Sequence, residues 1–217
     1  MESSSGSLDA LQERVLTILA GFEPPFILGG GGALALYLGH RKTRDLDLFW
    51  EDVAQLAERP RTIRQRLAGA GLAVSVVQDS PGFVRFRVAD DESAINLDLV
   101  ADPTERLERP ARLAVAGAEV AAESLRDLFV NKLCALLSRS ELRDLVDVEA
   151  LVAHGLSLEN AIASAPRKDG GFSPLTLAWV LQNFDVPSLA AATNMTDEDS
   201  ERINRFRVKL IDRLLSQ

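Results

Sequence analysis

Two aspartates separated by one residue, Asp45 and Asp47, lie in a hydrophobic segment that is typical of a β-strand. Side chains alternate between the two faces of a strand, so both carboxylates point the same way, roughly 7 Å apart along the chain. Leu46 and Leu48 then face the core. Two neighbouring carboxylates repel each other, and a divalent cation is the simplest partner that makes the arrangement favourable. The pattern therefore indicates a metal site.

A run of four glycines precedes these aspartates. The apolar segment 26–28 leads into Gly29, Gly30, Gly31 and Gly32, and an apolar helical pattern follows. Glycines let backbone N–H groups approach phosphate oxygens, and the N-terminus of a helix adds the positive end of its dipole. Four glycines alone are typical of an ordinary turn, and Asp-x-Asp alone of a strand end. The two features in this order predict a site for a complex of a metal ion with a nucleoside triphosphate.

The segments around these motifs predict β-strands followed by helices. Three runs of alternating apolar residues are typical of neighbouring antiparallel strands. They are 72–77, 83–88 and 94–100. A helix is expected near 52–70, with Pro60 as a break or kink. Ser7 is expected to cap the first helix, and from Glu123 the pattern is helical to the last residue.

Composition favours a cytoplasmic protein with no membrane partner. No apolar run among the 217 residues approaches the ~18–20 residues that span a bilayer, and the first seven residues lack the basic start of a secretory signal. The single cysteine, Cys134, excludes an internal disulfide and fits a reducing compartment. A net charge of −8 argues against non-specific wrapping of nucleic acid. A local basic patch at Arg41, Lys42 and Arg44 is nevertheless compatible with binding of an RNA substrate.

The motif segment resembles the signature of the polymerase β-like nucleotidyltransferases, a glycine pair followed downstream by Asp-x-Asp. More closely, it resembles the AbiEii/AbiGii toxin family, whose members read approximately Gly-Gly-Thr-Ala-Leu, Gly-x-Arg-x-Ser and Asp-Ile-Asp-Leu-Phe. The matching residues here are Gly30-Gly31-Gly32-Ala33-Leu34, Gly39-His40-Arg41-Lys42-Thr43 and Asp45-Leu46-Asp47-Leu48-Phe49. A second block, Lys132-Leu133-Cys134-Ala135 with Arg143-Asp144-Leu145-Val146-Asp147, is similar to Lys-Leu-x-Ala and Arg-Asp-x-x-Asp of the family. The resemblance spans about 26–153.

Two positions depart from the family pattern. Gly32 stands where the family has a small hydroxyl residue, which puts one phosphate contact in doubt. Thr43 stands where the family has serine, a chemically mild change.

The resemblance implies an α+β fold with a mixed sheet. Residues 1–115 would form a polymerase β-like nucleotidyltransferase core, and 116–217 a helical region that completes the active-site cleft. Asp45, Asp47 and a third carboxylate, Asp98, would be catalytic and would bind one or two Mg²⁺ ions, with Mn²⁺ as a substitute. Nucleotide-binding roles would fall to Gly30, Gly31, Gly32, Arg41, Lys132 and Asp144.

The function implied by the resemblance is transfer of a nucleoside monophosphate from an NTP to an acceptor hydroxyl. The acceptor would be a tRNA end or a protein side chain, and the protein would be the toxin of a toxin–antitoxin or phage-defence pair with a cognate antitoxin. Two alternatives stay open. One is a nucleotidyltransferase acting on a small molecule such as an antibiotic. The other is a nucleotide-binding module without catalysis, which the lack of a hydroxyl at Gly32 leaves as an alternative.

Overall fold

A computed structural model gives the structure of residues 8–216, apart from the side chain of Gln55. The chain divides into two compact units, of which the first ends at Leu125 and the second begins at Arg126. The expected boundary after 115 falls between two strands of the sheet, because the last strand runs to Ala122. The final hairpin therefore belongs to the first unit rather than to the helical region.

The described part of the first unit contains one seven-stranded sheet with helices. The strands are β1 (Ile27–Gly29), β2 (Asp45–Trp50), β3 (Ala73–Ser80), β4 (Phe83–Ala89), β5 (Ala94–Ala101), β6 (Ala111–Val115) and β7 (Ala118–Ala122). The helices are α1 (Ala10–Leu19), α2 (Gly30–Leu38), α3 (Val53–Leu56) and α4 (Arg59–Gly69).

The strands run in the order β3-β4-β5-β2-β1-β7-β6. The central strand β2 pairs antiparallel with β1 and parallel with β5, so the sheet is mixed, and the predicted α+β class is confirmed. The three alternating runs form the antiparallel neighbours β3, β4 and β5, as their pattern predicts. Leu46, Leu48 and Trp50 on β2 are buried on one face of this sheet, which leaves the aspartates of the same strand to the other face.

Two local details concern the expected helices. The segment 52–70 is helical and is interrupted just before Pro60, as expected: α3 ends at Leu56 and α4 begins at Arg59. Pro60 thus lies in the first turn of α4, where its missing N–H costs no hydrogen bond. Ser7 lies outside the described residues, and Asp9 is the N-cap of α1. The carboxylate of Asp9 accepts a 2.8 Å hydrogen bond from the backbone N–H of Gln12, whose side chain accepts one in return.

The described part of the second unit is helical, as the pattern from Glu123 predicts. Its helices are α5 (Leu125–Arg139), α6 (Leu142–Ala153), α7 (Leu158–Ser164), α8 (Pro174–Gln182), α9 (Val186–Ala192) and α10 (Asp197–Leu215), with a 3₁₀ turn at Ala165–Arg167. Within residues 8–216, no helix combines the length and the apolar character that crossing a bilayer requires.

Candidate active site

Four polar side chains share one face of the sheet, on the adjacent strands β2 and β5. The two strands are parallel, with Asp47 opposite Asp98 and Asp45 opposite Asn96. Side chains two residues apart on a strand lie on the same side, and residues opposite each other on neighbouring strands do so as well. We call this side the carboxylate face, defined by Asp45, Asp47, Asn96 and Asp98.

The three carboxylates of this face differ in burial and in their hydrogen-bond partners. Asp45 and Asp47 are half-buried, whereas Asp98 is buried. The side-chain amide of Asn96 donates a 3.0 Å hydrogen bond to Asp45 Oδ1. Arg85 donates two, from Nε to Asp98 Oδ1 at 2.7 Å and from Nη2 to Oδ2 at 2.6 Å. Sequence reasoning did not single out Arg85, since it reaches Asp98 only through the pairing of β4 with β5.

The glycine turn lies directly beside this face. Strand β1 ends at Gly29, which is opposite Asp47 in the antiparallel pairing, and α2 begins at the next residue. Gly30 has a φ of +56°, and a Cβ added there would lie 2.1 Å from Asp47 Oδ2. Only glycine fits this position without displacing the carboxylate. The helix N-terminus and Asp47 are therefore in immediate contact.

Arg41 also reaches the glycine turn. A Cβ at Gly31 would lie 2.9 Å from Thr43 Oγ1 and 3.3 Å from a terminal nitrogen of Arg41. The structure thus brings Asp45, Asp47, Gly31 and Arg41 of the predicted site into one neighbourhood. A guanidinium beside a helix N-terminus adds to its positive potential.

Gly32 faces the other way. A Cβ there would lie 3.1 Å from Leu46 Cδ2 and 3.3 Å from Leu28 Cδ1, both buried core residues. A side chain at this position would therefore begin beside the core leucines. Because Gly32 has no side chain, the phosphate-binding role expected for it stays a prediction for its backbone N–H.

The donor set of the carboxylate face suits a hard divalent cation, because Mg²⁺ prefers carboxylate and amide oxygens. As the side chains stand, no group of three or more His, Cys, Asp or Glu residues within residues 8–216 is arranged to hold a metal ion. Both oxygens of Asp98 accept hydrogen bonds from the Arg85 guanidinium, which supplies the positive charge there. The residues fit a cation in chemical type, provided that Asp98 exchanges its partner.

A further carboxylate near the glycine turn was not predicted from sequence. Glu123 is buried at the end of β7, where its backbone N–H donates a 2.9 Å hydrogen bond to the carbonyl of Leu28. A Cβ at Gly29 would lie 2.6 Å from Glu123 Oε2. Sequence reasoning treated Glu123 only as the start of the helical region. The parallel pairing of β1 with β7 brings it here, and no local pattern signals that pairing.

The second unit has a buried ionic cluster of its own, formed by Lys132, Asp144 and Asp147. Lys132 Nζ lies 2.9 Å from Asp144 Oδ1 and 2.7 Å from Asp147 Oδ2. Burial raises the pKa of Asp144, but hydrogen bonds from Arg139 and the charge of Lys132 outweigh it, so the pKa lies below its ordinary value. Lys132 and Asp144 thus contact each other, and the nucleotide-binding roles expected for them stay predictions.

Comparison with known proteins bears on the family through the sequence and on the fold through the structure. The sequence profile of the family described as "Nucleotidyl transferase AbiEii toxin, Type IV TA system" matches residues 14–212. No curated protein sequence matches the chain significantly.

Solved structures share the fold at low sequence identity. JHP933 from Helicobacter pylori is 19% identical with a TM-score of 0.57, over 97% of this chain and 96% of that chain. MenT4, a nucleotidyltransferase toxin from Mycobacterium tuberculosis, is 14% identical with a TM-score of 0.63, over 93% and 82%. ANT(2″)-Ia in complex with adenylyl-2″-tobramycin is 15% identical with a TM-score of 0.51, over 81% and 97%.

Proposed function

Since the chain belongs to the AbiEii nucleotidyltransferase toxin family, we propose that it transfers a nucleoside monophosphate from an NTP to an acceptor hydroxyl in a Mg²⁺-dependent reaction. The acceptor is a tRNA end or a protein side chain, and pyrophosphate is the second product. In the cell the protein acts in the cytoplasm as the toxin of a pair with a cognate antitoxin.

One observation carries the proposal: the contact between Asp47 and the glycine turn. The carboxylate oxygen lies 2.1 Å from the position that a Cβ of Gly30 would take, and Asp45 lies two residues away on the same face. The first N–H groups of α2 have no partner within the helix and carry its positive partial charge. Cation-binding carboxylates and anion-binding N–H groups therefore adjoin, which is what a metal-bound triphosphate requires.

Each site residue of the first unit then has a chemical role. Asp45, Asp47 and Asp98 would hold the cation, and the backbone of the glycine turn would bind phosphate oxygens. Arg41, beside Gly31, neutralises charge on the departing pyrophosphate. Asp98 orients the acceptor hydroxyl or takes its proton. When bound, Mg²⁺ supplies Lewis-acid polarisation of the phosphates and lowers the pKa of the attacking hydroxyl.

A transfer assay tests the proposal. The protein is incubated with Mg²⁺ and each α-labelled NTP in turn, together with total RNA or total protein, beside Asp47→Asn. Label should enter one fraction with one nucleotide, and Asp47→Asn should lower the rate by at least about a hundredfold, because metal-held charge supplies several kcal/mol.

Asp79→Asn is the matched control. It removes the same charge from the exposed edge strand β3, where Asp79 is opposite the buried Val84. Its rate should equal that of the unchanged protein. Equal rates for Asp47→Asn and the unchanged protein would refute the site, and Mg²⁺-dependent NTP binding without pyrophosphate release would indicate a binding module.

A small molecule is the second acceptor class. ANT(2″)-Ia, which shares this fold, has been seen in complex with adenylyl-2″-tobramycin. Tobramycin added to the same assay separates the two classes. Label on the aminoglycoside and none on RNA or protein would favour the small-molecule reaction.

A further inference from the structure

Arg85 and Asp98 form a two-point ion pair on the carboxylate face. Arg85 lies opposite Asp98 in the antiparallel pairing of β4 with β5. Its two hydrogen bonds, at 2.7 and 2.6 Å, use both carboxylate oxygens. Bidentate pairs of this kind are among the stronger interactions between side chains. While the pair persists, neither oxygen has its full capacity for another cation.

The two partners are not equally fixed. The side chain of Asp98 is 5% exposed, whereas that of Arg85 is 38% exposed. Both residues belong to strands within the sheet, but the side chain of Asp98 is short, whereas that of Arg85 is long and carries its guanidinium near the ring of Phe83, 5.6 Å from the centroid. Arg85 is therefore the member that can move. A buried carboxylate left without a cation is costly, so another positive charge must replace the guanidinium when it leaves.

Arg85 lies in the field of all three site carboxylates. Its hydrogen bonds to Asp98 raise its pKa above the usual value, burial opposes them, and the charges of Asp98, Asp45 and Asp47 add to the increase. The guanidinium thus supplies the positive charge that a metal ion would supply at the same face.

We propose that Arg85 acts as a latch on Asp98: a divalent cation must displace it from the two carboxylate oxygens, so Arg85 sets the cation concentration at which the site loads. Arg85 is a positioning residue in this scheme and takes no part in bond making. The inference rests on the proposed function in one respect, since it takes Asp98 as a cation ligand.

The chain offers a matched control two residues along the same strand. Arg87 projects on the same side as Arg85 but is exposed, and its Nη1 donates a 3.3 Å hydrogen bond to the neutral Asn96 Oδ1. Arg87→Met removes the same charge as Arg85→Met. Only Arg85→Met uncovers a carboxylate, so a difference between the two variants reports the latch rather than net charge.

Binding of Mn²⁺ to the protein without nucleotide tests the latch, with the EPR signal of free Mn²⁺ as the readout. Arg85→Met should bind Mn²⁺ roughly tenfold more tightly than the unchanged protein, a factor that corresponds to about 1.4 kcal/mol. Arg87→Met should stay within about twofold, because a more distant charge is screened by solvent. The Mn²⁺ affinity of Arg85→Lys should fall between those of the unchanged protein and Arg85→Met. An ammonium is a point charge and lacks the planar fork of donors with which a guanidinium binds both carboxylate oxygens.

Thermal unfolding provides a second readout and controls for folding. Arg85→Met should melt below the unchanged protein without metal, and Mn²⁺ should raise its Tm by more, because tighter binding stabilises the folded state more. If Arg85→Met does not fold, Arg85→Lys takes its place in both measurements, with an increase in affinity still expected.

The outcomes separate the latch from the proposed function. Equal Mn²⁺ affinity in Arg85→Met and Arg87→Met overturns the latch and leaves Asp47-dependent transfer untouched. Weaker binding in Arg85→Met also overturns it. If neither the unchanged protein nor Arg85→Met binds Mn²⁺, the latch is wrong as well, and the transfer assay with Asp47→Asn alone decides whether the proposed function survives.

Discussion

The carboxylate face and the ionic cluster of the second unit both combine aspartates with cationic side chains, but they compensate charge differently. In the cluster, Lys132 is buried between Asp144 and Asp147, each within 2.9 Å of its ammonium, and the half-exposed Arg139 adds a second cation at Asp144. On the face, Asp45 and Asp47 are half-buried. The cation beside Asp98 there is a partly exposed arginine.

This difference separates charge that stabilises a fold from charge that can be exchanged. A fully buried ion pair contributes little net stability, yet the loss of one member is strongly destabilising because the other remains charged and desolvated. Half-exposed carboxylates keep contact with water and can change partners at low cost. We therefore expect substitutions in the cluster to affect stability, and substitutions on the face to affect binding and transfer.

The largest effect on stability is expected from Lys132→Met. It removes the buried ammonium that Asp144 and Asp147 share and leaves Asp144 to the half-exposed Arg139, so the free energy of unfolding should fall by about 3–5 kcal/mol. Urea unfolding followed by circular dichroism measures this. Arg205→Met, which breaks the exposed pair with Glu201 on α10, should cost less than about 1 kcal/mol. Similar losses of unfolding free energy in the two variants would contradict the expectation that the buried cluster stabilises the fold more than an exposed ion pair does.

Gly30→Ala should have the next largest effect. The new Cβ would lie 2.1 Å from Asp47 Oδ2, and the alanine would have to adopt a φ of +56°. Gly21→Ala is the control, because Gly21 has a φ of +73° with no atom within 4 Å of the added Cβ. Strain alone should cost each variant about 1–2 kcal/mol. Gly30→Ala should lose more than that and should also lose transfer activity, and equal losses would mean that Asp47 moves aside freely.

Acid should weaken the cluster in a defined direction. The pKa of Asp144 is lowered from its ordinary value of 3.8 in the folded state. A depressed pKa contributes stability at pH values above the unfolded pKa, and this contribution is lost as the pH falls through the folded pKa. Unfolding measured at several pH values below about 4 should show a steeper loss in the unchanged protein than in Asp144→Asn. Parallel curves would assign the acid sensitivity to other groups.

The smallest effect on stability is expected from Asp47→Asn, the variant that should abolish transfer. It removes one of two neighbouring like charges at a half-exposed position, so its free energy of unfolding should stay within about 1 kcal/mol of the unchanged protein. A loss as large as that of Lys132→Met would mean that Asp47 is a structural residue and would remove the distinction between the two regions.

Local sequence patterns were sufficient for much of the fold and part of the site. The alternation on β2 predicts that Asp45 and Asp47 share a face, and the structure confirms it. The three alternating runs predict antiparallel strands, which are present. These predictions hold because strand periodicity and turn chemistry act over a few residues.

The direction of Gly32 and the presence of Glu123 beside Gly29 could not be predicted in this way. Both depend on which strands become neighbours: β1 meets β2 on one side and β7 on the other. Family resemblance alone assigned a phosphate contact to position 32, whereas in the structure a Cβ added at Gly32 would lie against Leu28 and Leu46. Residue type and spacing carry no record of such long-range pairing.

The sequence by itself determined which chemistry is present: two carboxylates on one side of a strand, a glycine turn before a helix, and a match to a nucleotidyltransferase family over residues 14–212. Only the tertiary structure decided which charges compensate one another. Arg85 reaches Asp98 through strand register, and Lys132 on α5 reaches Asp144 and Asp147 on the following helix, α6. The physical reason is that periodicity is local, whereas charge compensation depends on distances between residues far apart in the chain.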